Sequence, residues 1–152
     1  MTPYPDTYFA RLQRGDADLP PITTTLGGQI QRVDLDAGTL ESTYVATPSF
    51  LNPAGQVQGG MLCAMLDDVT AFLVTATVAD REFCATLSLN VSFLRPAQAG
   101  HLEGRAQLVR RGRDVCNVSA ELWQGSKLVA TAVATCMVVR QGSSASTPPS
   151  TS

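Results

Sequence analysis

One histidine, His101, occurs in the 152 residues. That count leaves almost no room for a histidine-based metal site or a Ser-His-Asp triad. The four cysteines, Cys63, Cys84, Cys116 and Cys136, form no C-x-x-C pair. Each sits in an apolar or alternating segment, so buried free thiols are expected and not a disulfide or a metal centre. Excess basic charge is missing too: 11 Lys and Arg face 13 Asp and Glu, for a net charge of −2. With neither a helix-turn-helix pattern nor a basic arm, a nucleic-acid partner is not expected. No uninterrupted apolar run approaches the roughly 18 residues of a membrane span. The opening Met-Thr-Pro-Tyr-Pro-Asp lacks the basic and apolar character of a signal peptide. A cytoplasmic location without a membrane partner is therefore expected.

The hydrophobic fraction is 44% and the charged fraction 16%, which describes a globular chain of a size to bury one core. Its centre is Asn52-Pro-Ala-Gly-Gln-Val-Gln-Gly-Gly-Met, continuing to Asp67, Asp68 and Val74. Pro53, Gly55, Gly59 and Gly60 make the first part a loop. From Met61 to about Val78 there is neither Pro nor Gly, and Leu62, Met65, Leu66, Val69, Phe72 and Leu73 recur at helical spacing. Asp67 and Asp68 interrupt that run. A carboxylate on a mostly buried helix is costly unless it is paired, hydrated or used. The glycine pair at the helix start leaves bare N–H groups at its positive end, where an oxyanion is stabilised.

Around this helix the chain reads as follows. Tyr4 to about Gln13 suits a short helix, and Gly15 to Thr25 reads as irregular. Strands are expected over Gln29–Asp36, Thr39–Ala46, Phe83–Leu94, Leu102–Val109, Val115–Gln124 and Leu128–Val139. In the third, Ala85, Leu87, Leu89, Val91 and Phe93 alternate with Thr86, Ser88, Asn90 and Ser92, which assigns the two sets to opposite faces. In the last, Ala130, Ala132 and Ala134 form a face for close packing. Residues 1–27 read as a lead-in, 28–140 as the folded domain, and 141–152, rich in Ser, Thr and Pro, as a disordered tail. The fold class is α+β: one central helix wrapped by a curved antiparallel sheet of five to six strands.

This order of elements resembles the hotdog fold. The stretch from Asn52 to Asp67 resembles the signature of hotdog acyl-CoA thioesterases of the PaaI-like kind, in which an Asn precedes a loop, His-Gly-Gly opens the helix and an acid lies two turns on. Asn52, Gly59, Gly60 and Asp67 match those positions, and Thr86 matches a Ser or Thr that some members carry at the start of the next strand. Phe93-Leu-Arg-Pro-Ala97 is similar to the family's strand ending. Gln58 stands where the family has its His, and its amide can hold the loop by hydrogen bonds. The resemblance implies hydrolysis of acyl-CoA or aryl-CoA thioesters, with no cofactor, since CoA is part of the substrate. On that reading Asp67 is nucleophile or general base, and the Gly59 or Gly60 N–H is the oxyanion donor. Asn52 orients water or the carbonyl, and Thr86 holds Asp67 or the water. Arg110, Arg111 and Arg113, with Arg95, are the candidates for the CoA phosphates, and Leu66 and Phe72, with Met61 or Phe50, for the acyl pocket. Asp68, about 100° further round the helix, is expected to be structural or solvent-facing. A non-catalytic acyl-CoA-binding protein and a hotdog dehydratase or hydratase are the competing readings.

Spacing adds an expectation of its own. Gly59 and Asp67 are separated by ~12 Å along a straight helix, whereas both must lie within ~3 Å of one reacting group. Two antiparallel helices from two copies satisfy this, so a homodimer is expected, and a dimer of dimers beyond it.

Overall fold

The computed structural model describes residues 6–142. The expected tail from Ser143 to Ser152 and the first residues of the expected N-terminal helix lie outside them. Helix α1 spans Tyr8–Arg14. The Thr7 hydroxyl caps it by accepting from the Ala10 N–H, and Gly15 ends it at φ 78°, a left-handed conformation that glycine adopts without strain. A second short helix, α2, spans Pro21–Thr25, where irregular chain was expected. The Pro20-Pro21 pair that suggested a break starts it instead, because proline at the first helical position needs no N–H donor.

Strands β1 (Gln29–Asp34) and β2 (Thr39–Ala46) precede a single 3-10 turn at Pro48–Phe50 and the central helix α3, Gly59–Thr75. Four strands follow: β3 (Glu82–Phe93), β4 (Gly100–Arg111), β5 (Val115–Gln124) and β6 (Lys127–Arg140). They form one six-stranded sheet in the order β1-β2-β4-β5-β6-β3, antiparallel at every pairing. The sheet curls round α3, which buries Leu62, Met65, Leu66, Val69, Phe72, Leu73 and Val74 against it. The alanine face of β6 is as small as expected and fully covered: Ala130 and Ala134 have no exposed surface. On β4, Gly104 does similar work. A methyl group there would stand 3.0 Å from the Tyr44 ring and 3.5 Å from Val69, so its absence lets helix and sheet approach.

The β3 alternation differs from the sequence expectation. Thr86 pairs with Cys136 and Ser88 with Thr135, leaving Leu87 as a bulge. One extra residue reverses the facing of everything on one side of it. Leu89 and Val91 pair with the buried Ala134 and Ala132 and face α3 as expected. Thr86, opposite the buried Cys136, joins that inner face instead of the outer one, while Leu87 is turned out and is 57% exposed.

The N-terminal segment is fastened by Asp68. The Thr23 hydroxyl of α2 donates to Asp68 Oδ1 at 2.6 Å, and the Tyr44 hydroxyl of β2 donates to Oδ2 at 2.8 Å. Three elements thus meet on one carboxylate, which is structural and not solvent-facing. Burial raises its pKa; the Thr23 and Tyr44 bonds act against that rise, and the neighbouring Asp67 charge adds to it. A raised folded-state value means that the folded chain binds the proton more readily than the unfolded chain. Asp68 therefore favours folding progressively as pH falls through its raised folded value towards its unfolded value near ~3.9. Asp68→Asn removes this titration. The stability of the native chain minus that of the variant, followed by thermal unfolding against pH, is expected to grow on mild acidification. A difference that stays flat or shrinks would contradict the assignment.

Candidate active site

Helix α3 begins at Gly59 because the preceding loop is closed by Asn52. The Asn52 side-chain Oδ1 accepts from the N–H groups of Ala54 (3.0 Å) and Gln56 (3.1 Å), and its backbone N–H donates to the Gln56 carbonyl at 2.7 Å. Gly55 completes the turn at φ 75°. The Gln58 N–H donates to the Phe50 carbonyl at 2.8 Å, which fixes where the chain enters the helix. Asn52 Oδ1 is thus engaged in shaping the loop, as Asn before a Pro- and Gly-containing turn commonly is. The Gln58 side chain makes no capping bond, while its carbonyl accepts from Met61 and Leu62 at 2.9 and 3.3 Å. The Gly59 and Gly60 amides precede these first bonds and are the donors left at the helix mouth. A methyl group on Gly59 would meet the Phe93 ring at 3.2 Å, whereas the space above Gly60 is open.

Asp67 lies two turns along α3. The Thr86 hydroxyl donates to its Oδ1 at 2.7 Å, a contact that the Leu87 bulge makes possible. Asp67 and Asp68 both line a cavity of about 250 Å³ with otherwise mostly apolar walls: Tyr8, Pro20, Ile22, Ala64, Ala71 and Phe72, with Thr75 beside them. Phe72 is a wall of this cavity, as expected. Leu66, fully buried in the core, is not among its lining residues. Tyr8, Pro20 and Ile22 escaped the sequence reading. They come from a segment more than forty residues away, and only the folding of that N-terminal segment onto α3 brings them there.

Gly59 opens on a different groove, of about 330 Å³, shared with Gln56, Leu62, Phe93 and Arg95. Within one chain the acid and the helix mouth therefore face separate spaces. The arginines also divide. Arg95, donating to the Leu128 carbonyl at 3.0 Å, is at the glycine end of α3. Arg110 and Arg111 close β4 and Arg113 lies in the turn after it, at the other end, where Arg111 Nε donates to the Thr77 hydroxyl at 2.9 Å and its Nη1 to the Gly112 carbonyl. Arg111 is thus a brace of its own turn, while Arg110 and Arg113 are exposed. His101 is the second residue of β4. One position from the buried Leu102, it faces away from α3. All four cysteines are free, and among the described residues no cluster of His, Cys, Asp and Glu is arranged to hold a metal. No described helix is long and apolar enough to cross a membrane.

Comparison with known proteins bears on this geometry. Residues 47–139 match the family model described as the acyl-CoA thioesterase N-terminal domain. The fold is similar to that of a phenylacetic acid degradation-related protein from Ralstonia eutropha JMP134, at 69% identity and a TM-score of 0.85, covering 86% of this chain and 99% of that one. It is also similar to the Escherichia coli PaaI protein from the phenylacetic acid degradation operon (24% identity, TM-score 0.73, 88% and 91% covered). A Haemophilus influenzae thioesterase shares the fold at 18% identity and a TM-score of 0.76, with 92% and 96% covered. A search of curated proteins finds no match. The family match spans the loop, the glycine-headed helix, Asp67 and the whole of β3 to β5, and with the curled sheet round α3 it leads to one conclusion: this chain belongs to the hotdog-fold acyl-CoA thioesterases.

Proposed function

We propose that the chain hydrolyses acyl-CoA or aryl-CoA thioesters at sites shared between two copies, with Asp67 as nucleophile or general base. The observation that carries this reading is the Asp67–Thr86 hydrogen bond at the edge of the apolar cavity. A carboxylate on a buried helix is held there by one hydroxyl and still reaches a space suited to an acyl group. Asp67 serves as nucleophile, forming a mixed anhydride, or as the base that takes a proton from water. The Gly59 and Gly60 amides receive the developing charge on the carbonyl oxygen, aided by the helix dipole. Gln58 takes the place of the family's His, with its backbone in the helix-entry bonds.

Two features support the shared site. Gly59 and Asp67 line separate grooves in one chain, and ~12 Å of helix divides them. Strand β3, twelve residues long and free of Pro and Lys, is an edge of the sheet with Phe83, Leu87 and Phe93 exposed. Such an edge is a template for pairing. If two copies join there with their helices antiparallel, the glycine end of one comes beside Asp67 of the other. The same arrangement brings Arg110 and Arg113 of one copy towards Arg95 of the other, gathering cations that a single chain holds ~25 Å apart. Light scattering at micromolar concentration is expected to show a dimer or a dimer of dimers. An active monomer would rule out sharing.

Hydrolysis of a panel of acyl-CoA and aryl-CoA thioesters tests the chemistry. Asp67→Asn keeps the shape and removes the charge, and is expected to lower kcat by roughly two orders of magnitude or more with little change in KM. Persistence of hydrolysis in this variant would assign the chemistry to another group, and no hydrolysis by the native chain would return it to the non-catalytic binding reading. Replacing Arg110 and Arg113 by Gln is expected to raise KM for CoA thioesters more than it lowers kcat, because phosphate contacts remote from the carbonyl hold ground state and transition state alike. An N-acylcysteamine thioester, which lacks the nucleotide, is expected to be indifferent. Equal loss on both substrates would assign these arginines to folding.

A further inference from the structure

The cavity beside Asp67 has two unlike walls. The wall from α3 is a single stripe: Ala64, Asp67, Asp68, Ala71, Phe72 and Thr75 fall three and four residues apart. It extends ~16 Å along the helix, of which ~12 Å lies between Asp67 and Thr75. Little rises from it besides the two carboxylates. Ala64, Ala71 and Thr75 are small, and Phe72 is folded into the core with 5% of its surface exposed. The depth of the cavity is therefore set from the opposite side, by Tyr8, Pro20 and Ile22.

Tyr8 is the largest of these three, and its backbone is fixed. Thr7 and Phe9 on either side of it are buried, and Thr7 Oγ1 accepts from the Ala10 N–H to cap α1. The direction of the ring is fixed as well, because its hydroxyl donates to the Asp18 carbonyl at 3.0 Å, from α1 to the chain just before α2. Ile22, by contrast, is 52% exposed and so stands at the open side of the cavity. The guest of this space is an acyl group and not the nucleotide. Its lining holds two carboxylates and no cationic side chain, which repels phosphates. Apolar carbon gains there by leaving water.

We infer that Tyr8 is a specificity-determining residue for thioester hydrolysis: its ring, standing across the cavity from the α3 stripe, limits the length of the acyl group that can lie along α3 with its carbonyl at Asp67. This rests on the reading that Asp67 does the chemistry. Each methylene that fits the cavity adds about fourfold to kcat/KM by its burial. An acyl group that reaches the ring has to displace a side chain whose backbone and tip are both held. Overpacking of that kind reverses the gain.

The test is the length profile of the full chain on straight-chain acyl-CoA thioesters from acetyl upwards. The native profile is expected to rise with each carbon and then fall. Tyr8→Ala is expected to move the maximum to a longer chain, raising kcat/KM by roughly tenfold or more for the first thioesters past the native maximum, with acetyl-CoA unchanged. Tyr8→Phe keeps the ring and loses the bond to Asp18, and is expected to keep the native maximum. A Phe variant that behaves as Ala would assign the effect to that bond and overturn the ring as the limit. Tyr8→Trp adds bulk and is expected to move the maximum to a shorter chain, which keeps the inference open to refutation if thermal unfolding shows that Tyr8→Ala does not fold. Non-hydrolysable acyl-CoA thioethers of the same series separate the length limit from the chemistry, since their Kd for the native and Tyr8→Ala chains is expected to follow the same lengths. A native chain that hydrolyses the series with a maximum indifferent to Tyr8 sinks the inference and leaves Asp67 in place. A native chain that hydrolyses nothing, yet whose thioether affinities shift with Tyr8→Ala, sinks the Asp67 chemistry and leaves the length limit as one of binding.

Discussion

A helix that must be buried in a curled sheet, yet carries two adjacent carboxylates, sets the terms for the rest of this protein. Apolar burial of Leu62, Met65, Leu66, Val69 and Leu73 gives α3 its place in the sheet. Neither Asp67 nor Asp68 can share in that burial without donors, because an unpaired charge in a dry interior is far costlier than any contact it displaces. Both are met by hydroxyls, and by different ones. Asp68 takes Thr23 and Tyr44, and in doing so binds the N-terminal segment and β2 to the helix. Asp67 takes Thr86 on Oδ1 and lines the cavity.

That difference separates a carboxylate that supports the fold from one available for chemistry. An acid satisfied on both oxygens is a fixed part of the scaffold. One held by a single hydroxyl is oriented and still has lone pairs for water or an acyl carbon. The Leu87 bulge is what supplies the single hydroxyl. It costs the β3 ladder one paired residue and leaves a leucine in solvent, and it turns Thr86 inward opposite Cys136. Bulges next to working side chains are a recurrent use of this irregularity.

The N-terminal segment has a part that its composition does not suggest. Through Thr23 it is anchored to Asp68, and through Tyr8, Pro20 and Ile22 it supplies walls of the cavity beside Asp67. Support of the carboxylate and shape of the pocket are thereby linked in one short segment. Changes in α1 or α2 would alter the cavity beside Asp67 without touching the helix that carries the acid.

The sequence by itself determined the elements with strong local signals. Period-2 alternation marked the six strands, and β2 runs over the residues expected of it, Thr39–Ala46. Helical spacing marked α3, displaced only at its ends: it starts at Gly59 and not Met61, and stops at Thr75 and not Val78. The glycine pair, the Asn-led loop and the alanine face of β6 were legible because each follows from local backbone chemistry. Only the tertiary structure decided the facing of Thr86, since a single unpaired residue inverts a strand and leaves no mark in the composition. The partners of Asp68, the cavity walls from α1 and α2, and the pairing of Thr86 with Cys136 were likewise closed to the sequence. So was the separation of Arg95 from the arginine turn, placed at opposite ends of α3. Each depends on segments tens of residues apart meeting across the sheet, and periodicity records which way a side chain faces, not what stands opposite it.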